Sequence, residues 1–67
     1  MLTIRYRYEL RHGDVTIATG HLNRSEQLQV GERIEIAGSY GLVRSIEPVL
    51  GEQELRLVVE MFPNRRS

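Results

Sequence analysis

The sequence contains no cysteine and no tryptophan among its 67 residues. Without cysteine, neither disulfide bonds nor thiolate zinc sites can form. A chain of this length accommodates one small domain and leaves no room for a second core. Any stability beyond what that core supplies must therefore come from tight packing or from association.

Long apolar runs are also missing. No stretch approaches the roughly 20 apolar residues that a membrane helix needs. The first ten residues, MLTIRYRYEL, alternate polar with apolar side chains, whereas a signal peptide is continuously apolar in its central part. We therefore expect a soluble, cytoplasmic protein that has no membrane partner.

The chain has no excess of either charge, because nine basic residues balance nine acidic ones and the sequence pI is about 6.7. Domains that bind nucleic acid usually carry a clear positive excess, since neutralising phosphates supplies much of their affinity. A net charge of zero also weakens the repulsion between copies of the same protein. The charge balance therefore favours protein association over nucleic-acid binding.

Strict alternation of apolar and polar residues from Leu2 to Leu10 predicts a half-buried strand. The next four residues, 11–14, have the composition of a turn, and the segment from Val15 to Leu22 returns as a second strand. If Leu10 pairs with Val15, the apolar sides of the two strands agree. The pairs that follow are Tyr8 with Ile17, Tyr6 with Thr19, and Ile4 with His21.

The rest of the chain predicts three further strands. Residues 23–26 have the spacing of a capped turn and are expected to form a connecting loop. Arg33–Ile36 alternates as a short strand, the glycine-rich residues 38–41 form a corner, and residues 42–46 continue as a strand with a bulge near Arg44 or Ser45. A last strand runs from Leu55 to Met61, because its apolar residues alternate with charged ones.

About five short strands without a convincing helix indicate an all-β fold. We expect either a small five-stranded SH3-like barrel or a strongly curled antiparallel sheet. Residues 1–62 form the single domain in this interpretation, and residues 63–67 form a flexible tail.

The segment LQVGERIEIAGSYGLVRSIEP resembles three families of small barrels. It is similar to the second-domain barrel of translational GTPases and to KOW-type SH3-like domains, whose Gly-x-Val step corresponds to Gly41 and Val43. It also resembles the β domain of small-conductance mechanosensitive channels, where a Pro-Asn like that after Phe62 follows. The resemblance implies a barrel corner in which residues 30–32 turn and Ile34 and Ile36 enter the core. It carries over no catalytic residue.

The chemistry of the side chains argues against an enzyme. Nucleophilic catalysis needs a nucleophile, a base and an orienting acid close together, and the chain offers two histidines and no cysteine. The predicted hairpin places His12 at the turn and His21 near the other end. We therefore expect no catalytic residue, no metal site and no cofactor.

Two arginines of the first strand are candidate binding residues. In the predicted register Arg5 lies opposite Gly20 and Arg7 opposite Ala18, so both project over a strand with small side chains. They could bind phosphate or carboxylate groups, or their stems could cover backbone while their charged ends pair with surface acids. Tyr40 is a further candidate for an exposed aromatic contact, with Arg44 as the basic residue nearest to it in the sequence.

The last strand suggests an interface, since Val58 and Phe62 interrupt its polar side. A self-associating protein would bury both residues across a symmetric contact. We therefore expect a non-enzymatic protein-interaction or assembly module whose partner is another protein or a second copy. A nucleic-acid or ribosome-associated barrel of the KOW type is the alternative.

Overall fold

The computed structural model describes residues 3–62, which form five strands and no helix. The strands are β1 (Ile4–His12), β2 (Val15–Arg24), β3 (Arg33–Ile36), β4 (Ser39–Pro48) and β5 (Leu55–Met61). The predictions of an all-β fold and of five strands are confirmed. Leu2, predicted as the first strand residue, and the tail predicted for residues 63–67 lie outside the described residues.

The strands form one strongly curled sheet, a half-barrel with the order β2-β1-β5-β4-β3. β5 lies between β1 and β4, and it runs antiparallel to β4 but parallel to β1. The sheet is therefore mixed, whereas the curled-sheet alternative was expected to be antiparallel. The parallel pair arises because strands β2 to β4 together form the long crossover that a parallel connection requires. β2 and β3 are the two edge strands of the sheet.

The concave side of the sheet, called the inner face below, holds the hydrophobic core. Its most deeply buried side chains are Tyr6, Val43, Leu57 and Val59. Leu28, from the loop between β2 and β3, packs into the same core. The backbone N–H of Leu28 donates a hydrogen bond to Oη of Tyr6 at 2.9 Å, in a buried position. The loop thus closes over the half-barrel and is held there by a core tyrosine.

The register predicted for the first hairpin is wrong. The turn consists of Gly13 and Asp14 alone, so His12 rather than Leu10 faces Val15. Gly13 has a φ of 66°, which suits the first position of a type II′ turn. A bulge leaves Ile17 without a partner in β1. From Ala18 to Arg24 the net displacement is three residues, which reverses the two faces of this part of β2.

Packing of two residues explains why β2 adopts this register. Gly20 lies opposite Tyr8, and a Cβ on Gly20 would lie only 2.5 Å from Oη of Tyr8. The tyrosine ring therefore covers backbone that only glycine leaves open. Leu22, opposite Tyr6, packs against the core, whereas the prediction had placed Thr19 there. His21 consequently points to the convex side and is exposed.

The glycine corner lies earlier than predicted. Ala37 and Gly38 form the two-residue turn between β3 and β4, and both have positive φ values, of 54° and 82°. Gly41 lies within β4 and does not turn the chain. A Cβ at Gly41 would lie 2.6 Å from the backbone oxygen of Glu60, so this glycine permits the close approach of β4 to β5.

Several sequence predictions in the second half are confirmed. The segment at Val30 and Gly31 turns, with a Gly31 φ of 91°, and Ile34 and Ile36 are buried in the core. The predicted bulge in β4 lies between Val43 and Ser45, opposite Val58 and Val59.

The loop predicted at residues 23–26 is shorter than expected, because β2 continues through residue 24. No helix in residues 3–62 is long and apolar enough to cross a membrane.

Candidate interaction surfaces

The convex side of the sheet, called the outer face below, carries a network of ion pairs. Its centre is Glu9 of β1. Arg56 donates from Nε to Oε2 of Glu9 at 3.0 Å and from Nη2 to Oε1 at 3.2 Å, which is a forked contact. Arg11 donates to Oε1 at 2.9 Å, and Arg56 also reaches Glu47 at 3.5 Å. These contacts join β1, β4 and β5 across the outer face.

The forked contact changes the acidity of Glu9 and of Arg56. Hydrogen bonds from Arg56 and then from Arg11 stabilise the charged carboxylate of Glu9 and hold its pKa below the ordinary value of 4.5. The hydrogen bond to Glu9 in turn raises the pKa of Arg56. Glu9 therefore stays ionised at any pH near neutrality.

Arg7 belongs to the same outer face, where its charged end pairs with acids. Its Nη2 lies 2.9 Å from Oε1 of Glu52 and 3.5 Å from Oε1 of Glu54. Arg7 faces His21 in β2 and not Ala18 as predicted. Nε2 of His21 lies 3.6 Å from Oε2 of Glu54, so the acid is contacted from two sides. The arrangement matches the interpretation in which the charged end pairs with surface acids.

Arg5 lies apart from this network. It faces Asn23 in β2, whereas the predicted register had placed it opposite Gly20. Together with His21, Leu22, Asn23 and Glu54 it lines an open surface cleft of about 360 Å³. The wall of this cleft thus contains the cation Arg5 and the acid Glu54, which is paired with Arg7. Arg5 and Arg7, predicted to act together, share Glu54 and His21 as neighbours, but within residues 3–62 only Arg7 forms ion pairs.

Tyr40 and Phe62, predicted for two different roles, are neighbours at one corner of the outer face. The backbone N–H of Phe62 donates to the carbonyl oxygen of Tyr40 at 3.2 Å. The Arg33 guanidinium lies 5.3 Å from the centroid of the Phe62 ring, within the range of a cation–π contact. Tyr40 is 55% and Phe62 38% exposed, and Leu42 beside them is also exposed. Tyr40, Leu42 and Phe62 form a small apolar patch.

Arg44, predicted to accompany Tyr40 in binding, is instead paired with an acid. Its Nη1 lies 3.1 Å from Oε1 of Glu60. The second carboxylate oxygen of Glu60 accepts a hydrogen bond from the backbone N–H of Gly13 at 2.8 Å, which ties the β1–β2 turn to β5. Arg44 therefore contributes to holding strands together on the outer face.

Val58, the other predicted interface residue, is 5% exposed in the single chain. It lies on the outer face between Glu9 of β1 and Ser45 of β4, outside the main core cluster. A residue that the chain itself buries offers little surface to a second molecule. Of the two predicted interface residues, Phe62 is therefore the more accessible.

The free edge of β2 was not predicted from the sequence. No strand within residues 3–62 pairs with the side of β2 that faces away from β1. Val15 and Ile17 are apolar yet 63% and 56% exposed, and the segment from Val15 to Gly20 carries no charge and no proline. The other edge strand, β3, has four residues and carries Arg33 and Glu35. The signal available in the sequence was the uncharged run from Val15 to Gly20, which directly follows the Gly13–Asp14 turn.

Within the described part of the chain, no group of three or more His, Cys, Asp or Glu side chains is placed to hold a metal ion. The candidate interaction surfaces are the cleft at Arg5, the patch at Tyr40 and Phe62, and the edge of β2.

The chain matches no protein-family model, and neither the curated proteins nor the solved structures compared with it show significant similarity.

Proposed function

We propose that this protein is a non-enzymatic interaction and assembly module that binds another protein strand at the free edge of β2. The observation that carries the proposal is the contrast between the two edges of the half-barrel. Natural sheets protect their edges by keeping them short or charged. β3 has both protections, whereas β2 has ten residues and no charge from Val15 to Gly20.

An edge of this kind suits β-augmentation, in which an extended segment adds to a sheet through backbone hydrogen bonds. One irregularity interrupts β2, at Ile17, and the seven residues from Ala18 to Arg24 pair regularly with β1. Seven residues exceed the length of an average strand. The regular part of β2 is thus long enough to hold an added strand.

The charges of the outer face support protein binding over nucleic-acid binding. Arg7, Arg44 and Arg56 are each paired with glutamates, so their charge is locally neutralised. Affinity for phosphates depends on unneutralised cations. The SH3-like barrel remains a prediction, and the curled five-stranded sheet is compatible with a small β-barrel. The cytoplasmic location also remains a prediction.

Site-specific photo-crosslinking in the native cell tests the proposal. The photoreactive residue p-benzoylphenylalanine replaces Ile17, which is exposed on the edge, or Leu50, which is fully exposed in the β4–β5 loop and serves as the control. We expect discrete protein adducts from position 17 that position 50 does not give. Adducts absent from position 17, or identical at both positions, would overturn binding at the β2 edge.

A further inference from the structure

The edge of β2 is flanked by one charge of each sign. Asp14 directly precedes the strand and Arg24 ends it, each five positions from Thr19. Neither side chain forms an ion pair with any residue in 3–62. An identical strand added in parallel would bring like charges together. An antiparallel one, with the extra residue at Ile17 counted, would bring Asp14 opposite Asn23 and next to Arg24 at both ends. The edge is therefore complementary to itself in the antiparallel direction.

We propose that the strand bound at this edge is β2 of a second copy of the chain, antiparallel and related by a two-fold axis near Thr19. This inference rests on the proposed function and specifies its partner. The contact would be isologous, the commonest arrangement in homodimers. It would join two half-barrels into one continuous sheet whose remaining outer edges are the short, charged β3 strands.

The side chains along β2 fit such a pairing. Thr19 lies on the outer face opposite Glu9, so the two threonines at the axis would face each other as a cross-strand Thr–Thr pair. The bulge at Ile17 shifts the strand by one residue and returns Val15 to the inner face. There Val15 would approach Leu22 of the second copy and cover its exposed apolar surface. No like charges meet within the segment.

Charge reversal measured by sedimentation equilibrium tests the antiparallel direction. Asp14→Arg and Arg24→Asp should each weaken the dimer about tenfold, because each converts two attractive pairs into two repulsive ones. The double variant, which carries both reversals, should restore the affinity of the original protein. Equal effects of the double and single variants, or no effect of any, would overturn this arrangement.

Single cysteines locate the axis, since the natural sequence has none. Thr16→Cys, Thr19→Cys and Asn23→Cys place a thiol at three exposed positions along β2. A residue on the axis meets its own copy within the Cα separation that a disulfide requires. Mild oxidation should therefore cross-link the Thr19 variant fastest. A maximum at position 16 or 23 would contradict the proposed axis.

The outcomes separate this inference from the proposed function. If the original protein is dimeric and Ile17→Lys dissociates it while charge reversal has no effect, the antiparallel register is wrong and the β2 edge still binds a strand. If the protein is monomeric at every concentration but crosslinks at position 17 to a different protein, the inference of a second copy is wrong. The proposed function, binding of a protein at the β2 edge, is then supported. If Ile17→Lys leaves dimerisation unaffected and position 17 gives no protein adducts, both are overturned.

Discussion

The hydroxyl group of Tyr6 accepts a hydrogen bond from the backbone N–H of Leu28 at 2.9 Å, and both residues are buried. Tyr6 belongs to β1 and Leu28 to the loop between β2 and β3, and both side chains lie in the core. The contact therefore joins the loop to the sheet.

Tyr6→Phe should lower the free energy of unfolding by about 1–3 kcal/mol, because the N–H of Leu28 would remain buried without a partner. Urea denaturation measures the change, and amide exchange at Leu28 should accelerate more than exchange in β5. Tyr40→Phe is the matched control, since Tyr40 is exposed. Equal stabilities of the two variants would show that the hydrogen bond does not hold the loop.

Gly41→Ala should destabilise the fold more than Gly20→Ala. The added Cβ at position 41 would meet the backbone oxygen of Glu60 at 2.6 Å, which cannot move without breaking the β4–β5 pairing. At position 20 the obstacle is the ring of Tyr8, a partly buried side chain that can rotate away. Overpacking of this kind costs about 1–3 kcal/mol. Thermal unfolding of both variants checks the order, and the reverse order would contradict the packing described here.

Glu9→Gln should reduce stability in a manner that depends on pH. The folded-state pKa of Glu9 is lowered, so its ionised form contributes stability above the ordinary value of 4.5 and this contribution is lost as the pH falls below that value. The difference in unfolding free energy between the original protein and the variant should be largest near neutral pH and shrink in acid. Urea titrations across the pH range measure it.

Glu35→Gln provides the control for Glu9, because Glu35 is exposed and makes no ion pair within residues 3–62. Its stability difference from the original protein should be small at every pH. A difference for Glu9→Gln that is constant with pH would show that the forked contact with Arg56 does not stabilise the fold.

Val58→Asp should destabilise the single chain by more than about 2 kcal/mol, since it buries a second acid beside Glu9. Phe62→Asp should have a much smaller effect, because Phe62 is partly exposed at the end of β5. Chemical denaturation at low protein concentration measures the stability of the single chain separately from any change in association. A fully stable Val58→Asp protein would contradict the burial of Val58 by its own chain.

The sequence was sufficient to predict the strands and much of the core. Strict alternation in β1, the Arg33–Ile36 strand and the slip in period at Arg44 each follow from the two-residue repeat of a strand, and all three are confirmed. These features depend on local spacing. No contact with a distant segment was needed to predict them.

The pairing of strands was not predictable to the same degree. The position of β2 against β1 depends on the space that Gly20 leaves for the ring of Tyr8, and on a bulge at Ile17. The parallel placement of β5 beside β1 joins residues about 50 positions apart, such as Tyr6 and Leu55. Because the predicted hairpin was displaced by three residues, the surroundings of Arg5 and Arg7 were assigned wrongly. The free edge of β2 follows from the order of the strands, which depends on contacts between distant segments.

The most direct test of the central claim, that the β2 edge binds a second copy of this chain, is the mass in solution by light scattering over a concentration series. We expect the mass to rise from 7.8 kDa towards twice that value for the original protein and for Leu50→Lys. Ile17→Lys, with a charge on the edge, should remain at the monomer mass. An original protein that stays at 7.8 kDa throughout, or an Ile17→Lys protein that dimerises equally well, would contradict the claim.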